Sequence, residues 1–94
     1  WLTKTGTYTA FAGDKIFANT TGGAFTITLP ASPSIGDEVR FVDLANHFDT
    51  NNLTVGRNSE KIDGATSDLT VATEGAAFAL VYSGSTYGWK LLEK

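Results

Sequence analysis

Ninety-four residues suffice for one domain, and at that size folding hides about 60 to 65% of the unfolded chain's surface, so the core is thin. Seven Lys and Arg against ten Asp and Glu leave a net charge of −3, and the bases stand singly at Lys4, Lys15, Arg40, Arg57, Lys61, Lys90 and Lys94; such scatter offers no stripe to a nucleic-acid backbone or an anionic membrane surface. No cysteine is present to form a disulfide or a thiolate metal site, and no run nears the ~20 apolar residues of a spanning helix, which leaves packing, strand ladders and association with other chains as sources of stability.

In chain order, Thr7-Tyr8-Thr9-Ala10-Phe11-Ala12 alternates β-favouring residues up to a turn at Gly13-Asp14, and Lys15-Ile16-Phe17-Ala18-Asn19 follows. This predicts a first hairpin. Asn19-Thr20-Thr21-Gly22-Gly23 reads as a polar turn, with the two glycines free to take positive φ. Phe25, Ile27 and Leu29 then alternate with Thr26 and Thr28, three apolar groups on one face and two hydroxyls on the other. Pro30 lacks an N–H, so the ladder stops at Leu29, and the stretch from Pro33 to Gly36 reverses the chain before Val39 and Phe41 resume the inward pattern.

Leu44 to Asn51 has neither strand nor helix spacing and reads as a loop with room for one helical turn. Leu53-Thr54-Val55 is a short strand, Gly56-Arg57-Asn58-Ser59 a tight turn, and a further strand is centred on Ile62. Asp63-Gly64-Ala65-Thr66-Ser67 turns into Leu69-Thr70-Val71, and Ala76 to Tyr82 is apolar on both faces, as a central strand must be. Ser83-Gly84-Ser85-Thr86 closes a hairpin onto Tyr87-Gly88-Trp89-Lys90-Leu91-Leu92. No i, i+3, i+4, i+7 apolar pattern runs for ten residues, so helix is little or none. The triplets Phe25-Thr26-Ile27, Leu53-Thr54-Val55 and Leu69-Thr70-Val71 are alike but unequally spaced, which argues against a solenoid of fixed period.

The fold expected is all-β: one domain over 1–94, about eight strands in a two-sheet antiparallel sandwich or flattened barrel. Its inner face is drawn from Phe25, Ile27, Leu29, Val39, Phe41, Leu53, Val55, Leu69, Val71, Phe78, Leu80 and Trp89. The chain has no methionine and opens on Trp1, which predicts a fragment of a longer polypeptide.

Catalytic chemistry finds little support. There is one histidine, His47, and no Gly-x-Ser-x-Gly elbow, so a Ser-His-acid triad is not expected. His47 and Asp49 share a loop, but a closed metal site needs three or four ligands. Asp43, Asp49, Asn51 and Asn52 lack the calcium-loop spacing and suit turn chemistry better. No spacing pairs Asp37, Glu38, Asp63 or Asp68 for glycoside hydrolysis. The reading is a non-enzyme with no cofactor. Tyr8, Tyr82, Tyr87 and Trp89 are the candidates for a sugar-stacking platform; Tyr82 and Trp89 fall in phase with core residues, which leaves Tyr87, at a loop end, as the exposed one. Binding is expected on loops 46–52 and 83–87, with Asn46, His47, Asp49, Asn51 and Tyr87 as candidate contacts.

Gly23-Ala24-Phe25-Thr26-Ile27-Thr28-Leu29-Pro30, then Gly36-Asp37-Glu38-Val39, then Asn51-Asn52-Leu53-Thr54-Val55-Gly56-Arg57-Asn58, and finally Gly88-Trp89 together resemble a bacteriophage tail-fibre family, in modules near the fibre's C-terminus. The matched segments, starting at Gly13-Asp14, span most of the chain, although no single motif is specific. The resemblance implies a virion protein outside the cell, homotrimeric, which helps attach the phage to a bacterial surface receptor, commonly a glycan and otherwise a protein. It supplies no catalytic motif. The related sequences favour Gly after the Asn of the 56–59 turn; Ser59 stands there instead, which predicts a turn other than type I′. The rival reading is a monomeric carbohydrate-binding module of a secreted polysaccharide-degrading enzyme, with two or three coplanar exposed aromatics.

Overall fold

The computed structural model describes residues 1–93 and is all-β, with nine strands in two sheets and no helix. The strands are β1 (Leu2–Lys4), β2 (Tyr8–Thr9), β3 (Lys15–Ala18), β4 (Phe25–Thr28), β5 (Glu38–Asp43), β6 (Leu53–Gly56), β7 (Leu69–Val71), β8 (Ala77–Tyr82) and β9 (Trp89–Glu93). One sheet has the order β1-β3-β5-β8-β9 and the other β2-β4-β6-β7. We call them the five-stranded and the four-stranded sheet.

The sheets are mixed, which corrects the antiparallel expectation. Strands β1, β3 and β5 run parallel, as do β2, β4 and β6; only β7, β8 and β9 add antiparallel pairs. Consecutive strands up to β6 therefore alternate between sheets, and each parallel crossover passes through the opposite sheet instead of a helix. The expected first hairpin dissolves for this reason: Gly13-Asp14 does turn the chain, but β2 and β3 belong to different sheets. The expected strand at Ile62 reduces to two isolated bridges, with Ala65 and with Trp89.

The three similar triplets are stacked neighbours. Phe25, Thr26 and Ile27 sit in parallel register with Leu53, Thr54 and Val55, and the latter pair antiparallel with Val71, Thr70 and Leu69. Their spacing is unequal because the first step is a full coil through both sheets, whereas the second is a turn back on the same sheet.

Inward rows form the core. Ile16, Phe41 and Phe78 face one another across β3, β5 and β8, and Val39 pairs with Leu80; Phe41 and Phe78 stack with ring centroids 5.0 Å apart. From the four-stranded sheet come Ile27, Leu29, Leu53 and Val55, all fully buried. Each such side chain contributes about 1.5–3 kcal/mol by leaving water. Strand β8 is central, as its two apolar faces require. Of the expected core, Leu69 and Val71 are only partly buried, because β7 is an edge strand, and so is Phe25, at the start of β4 beyond the two residues that β2 pairs with. Unanticipated members are Ile16, Ala18, Phe48 and Ile62.

The turn at Asn58-Ser59 departs from expectation. Asn58 has φ 49° and Ser59 φ 70°, and Glu60 N–H donates to Arg57 O at 3.1 Å. Two positive φ values inside an i to i+3 bond are the signature of type I′. Surrounding bonds offset the strain on Ser59: Arg57 N–H donates to Asp68 Oδ1, Arg57 Nη1 to Glu60 O, and Asn58 Nδ2 to Leu29 O, each at 2.9 Å.

Candidate functional site

Strand directions decide which loops can cooperate. Strand β5 pairs Glu38 with Val81 and Val42 with Ala77, so the chain leaving β8 at Tyr82 emerges beside Glu38, whereas the loop after Asp43 emerges at the other end. Six strand residues separate those ends by about 20 Å. The two loops expected to bind therefore lie at opposite rims, and Tyr87 shares no site with Asn46, His47, Asp49 and Asn51.

The 44–52 loop is held by a buried carboxylate. Asp43 is 3% exposed and accepts backbone N–H bonds from His47 (3.1 Å), Phe48 (3.0 Å) and Gly75 (3.0 Å). Phe48 is fully buried and anchors the loop. Asn51 N–H donates to His47 O at 2.8 Å, an i to i+4 bond that forms the single helical turn for which there was room. His47 is half-buried, and Asn51 spends its side-chain amide on Thr20 O at 2.8 Å. Of the candidate contacts here, Asn46, with φ 54°, and Asp49 are the exposed ones. Among the described residues, no three His, Cys, Asp or Glu side chains gather as a metal site would need.

The opposite rim collects the segments 10–14, 29–37, 57–66 and 83–88. Gly13 N–H donates to Glu38 O, Gly36 N–H to Tyr82 O, and Trp89 N–H to Lys61 O. Three large apolar side chains stand out from this rim: Phe11 at 71% exposure, Ile35 at 76% and Tyr87 at 62%. Tyr87 is the one that sequence reasoning picked. Its ring lies over Gly64, whose N–H donates to Tyr87 O at 2.8 Å. Around it stand Lys61, whose Nζ donates to Thr86 O at 3.3 Å, and the Lys90–Asp63 ion pair. Ile35 rests against Gly84.

The other aromatics are engaged. Trp89 is fully buried and Tyr82 nearly so, their rings 5.4 Å apart. Tyr82 donates its hydroxyl to Glu60 Oε1 at 2.7 Å, and this bond, then burial, raises its pKa above 10.0. Tyr8 donates to Asp14 Oδ2 at 2.8 Å, under Lys4 Nζ at 3.9 Å from the ring centroid; that hydroxyl bond is also the main reason its pKa is raised.

Phe11 and Ile35 were missed as surface groups, yet both left a signal. Alternation that turns Tyr8 and Ala10 inward turns Phe11 outward, and Ile35 sits between Ser34 and Gly36, inside a turn that has no core to face.

Chemically, the rim offers a flat aromatic face, two further exposed apolar side chains and an exposed ammonium–carboxylate pair. That set can stack on a sugar ring and hydrogen-bond its hydroxyls. No protein-family model matches the sequence, and no curated protein does.

Proposed function

We propose that the chain is a non-enzymatic module of a bacteriophage tail fibre, trimeric and displayed on the virion, whose Tyr87 rim attaches to a glycan of the bacterial surface. The fibre assignment rests on the resemblance carried by Gly23 to Pro30, Gly36 to Val39 and Asn51 to Asn58. What supports glycan binding is Tyr87, an aromatic that stands 62% exposed on a hydrogen-bonded turn, beside Lys61 and the Lys90–Asp63 pair. A monomeric carbohydrate-binding module is the weaker reading, because Tyr82 and Trp89 lie in the core and are not available to a coplanar platform.

Sedimentation equilibrium of the isolated chain should return three times 10.0 kDa. A panel of bacterial surface polysaccharides should contain one that the protein retains, and Tyr87→Ala should abolish retention without altering the sedimenting mass. A stable monomer that still binds polysaccharide would overturn the fibre assignment, and retention indifferent to Tyr87→Ala would remove the rim from it.

A further inference from the structure

The two sheets are unequal, five strands against four. Beside the terminal strand β7, the far end of the five-stranded sheet is left incompletely covered. The consequence is an apolar cleft of about 530 Å³ between β7 and the β8–β9 pair, with Leu69, Val71, Ala76, Phe78 and Leu91 among its walls. We propose that this cleft is a docking site for an extended polypeptide segment, which adds to the free edge of β7 as a fifth strand and lays alternate apolar side chains over Leu91 and Phe78.

The first support is the character of the edges. Unpaired strands invite foreign pairing unless shortened, charged or distorted. Edge strand β1 carries Lys4, β2 has two residues, and β9 carries Lys90 with a register shift opposite Ala79 and Leu80. Strand β7, Leu69-Thr70-Val71, has no charge, proline or irregularity, and among the described residues its outer edge receives no backbone hydrogen bond. Among the edge strands it alone has neither a charge, an irregularity nor a length of only two residues.

The second support, which identifies the occupant, is charge. Asp68 and Glu74 bracket β7 on either side, and among the described residues Glu74 is the one charged residue in the cleft wall. A second copy added by two-fold pairing fits poorly: antiparallel pairing of β7 with itself, centred on Thr70, brings Asp68 of one copy within two residues of Glu74 of the other, and like charges across a ladder repel. The segment that fits is a strand with valine-like side chains at alternate positions and a basic residue at each flank, held by main-chain bonds and pockets in the manner of strand addition.

The test uses an acetylated and amidated seven-residue peptide, lysine at both ends with valine and threonine alternating between, titrated into the ¹⁵N-labelled chain. Expected are shift changes confined to 68–76 and Leu91, with slowed amide exchange along β7. Glu74→Lys, an exposed change, should weaken binding up to about fivefold at low salt, the range of one surface ion pair. Absent or scattered shifts at millimolar peptide would overturn the proposal. So would equal binding by the peptide N-methylated at alternate residues, or by one ending in glutamate, and so would a dimer or trimer of the protein formed through β7.

Discussion

At the scale of single residues, the tightest constraint lies at Gly88. Its φ is +72°, and a Cβ built there stands 1.9 Å from Lys61 O, the atom that accepts the Trp89 N–H bond. Backbone, not a flexible side chain, fills that space. Gly88→Ala should therefore cost about 3 kcal/mol or more, the sum of left-handed strain and lost docking of the 61–64 segment; a loss of unfolding free energy in urea of less than a third of that would contradict the geometry. Thr20 is the opposite case. Its side chain is fully buried and Oγ1 has no hydrogen-bond partner among the described residues. A buried hydroxyl without a partner costs free energy that an isosteric methyl does not. Thr20→Val should be neutral or stabilising by about 1 kcal/mol, and a clear loss of stability in the same assay would show that the hydroxyl has a partner after all.

At the scale of elements, Asp43 joins what the strands leave separate. It ends β5, and its carboxylate collects three backbone donors from the 44–52 loop and the 73–76 turn. Asp43→Ala leaves those donors unpaired at or near the core and should destabilise by about 3 kcal/mol, each orphaned group adding on the order of 1 kcal/mol. Amide exchange should rise first at Phe48 and Gly75; unchanged exchange there would refute the clamp. Turn chemistry at Asp43 was legible in the sequence, but its burial and its bond to Gly75, 32 residues on, were not. What else was legible followed from period-two patterning. The strands from Phe25, Val39, Leu53, Leu69 and Ala77 appear where alternation puts them, and Tyr87 is exposed because a turn chemistry of Ser and Gly surrounds it. Parallel pairing was not legible, since alternation fixes which face is buried but not which neighbour a strand takes. Phe48 was missed because it is buried by a loop, where no periodicity marks it.

At the scale of the whole molecule, two tyrosines tie the sheets together at one rim. Tyr8, on the four-stranded sheet, donates to Asp14, which leads into β3 of the five-stranded sheet; Tyr82, on the five-stranded sheet, donates to Glu60, in the segment that follows β6. In both cases the hydroxyl must keep its proton, since a phenolate would face a carboxylate, and in both the hydroxyl bond to that carboxylate leads the causes that raise the pKa above 10.0. Folded pKa values above the unfolded value mean that the unfolded chain loses protons first as pH rises. The stability due to these bonds is thus fully present below about pH 10 and is lost as pH climbs from there through the folded values. Urea midpoints should be level up to about pH 9.5 and fall above it, in step with tyrosinate absorbance at 295 nm. The double variant Tyr8→Phe, Tyr82→Phe should start lower and decline less steeply over the same range, because neither ring then has a proton to lose. An equally steep decline in the double variant would place the alkaline weakness elsewhere and would demote both tyrosines from straps between the sheets to ordinary packing.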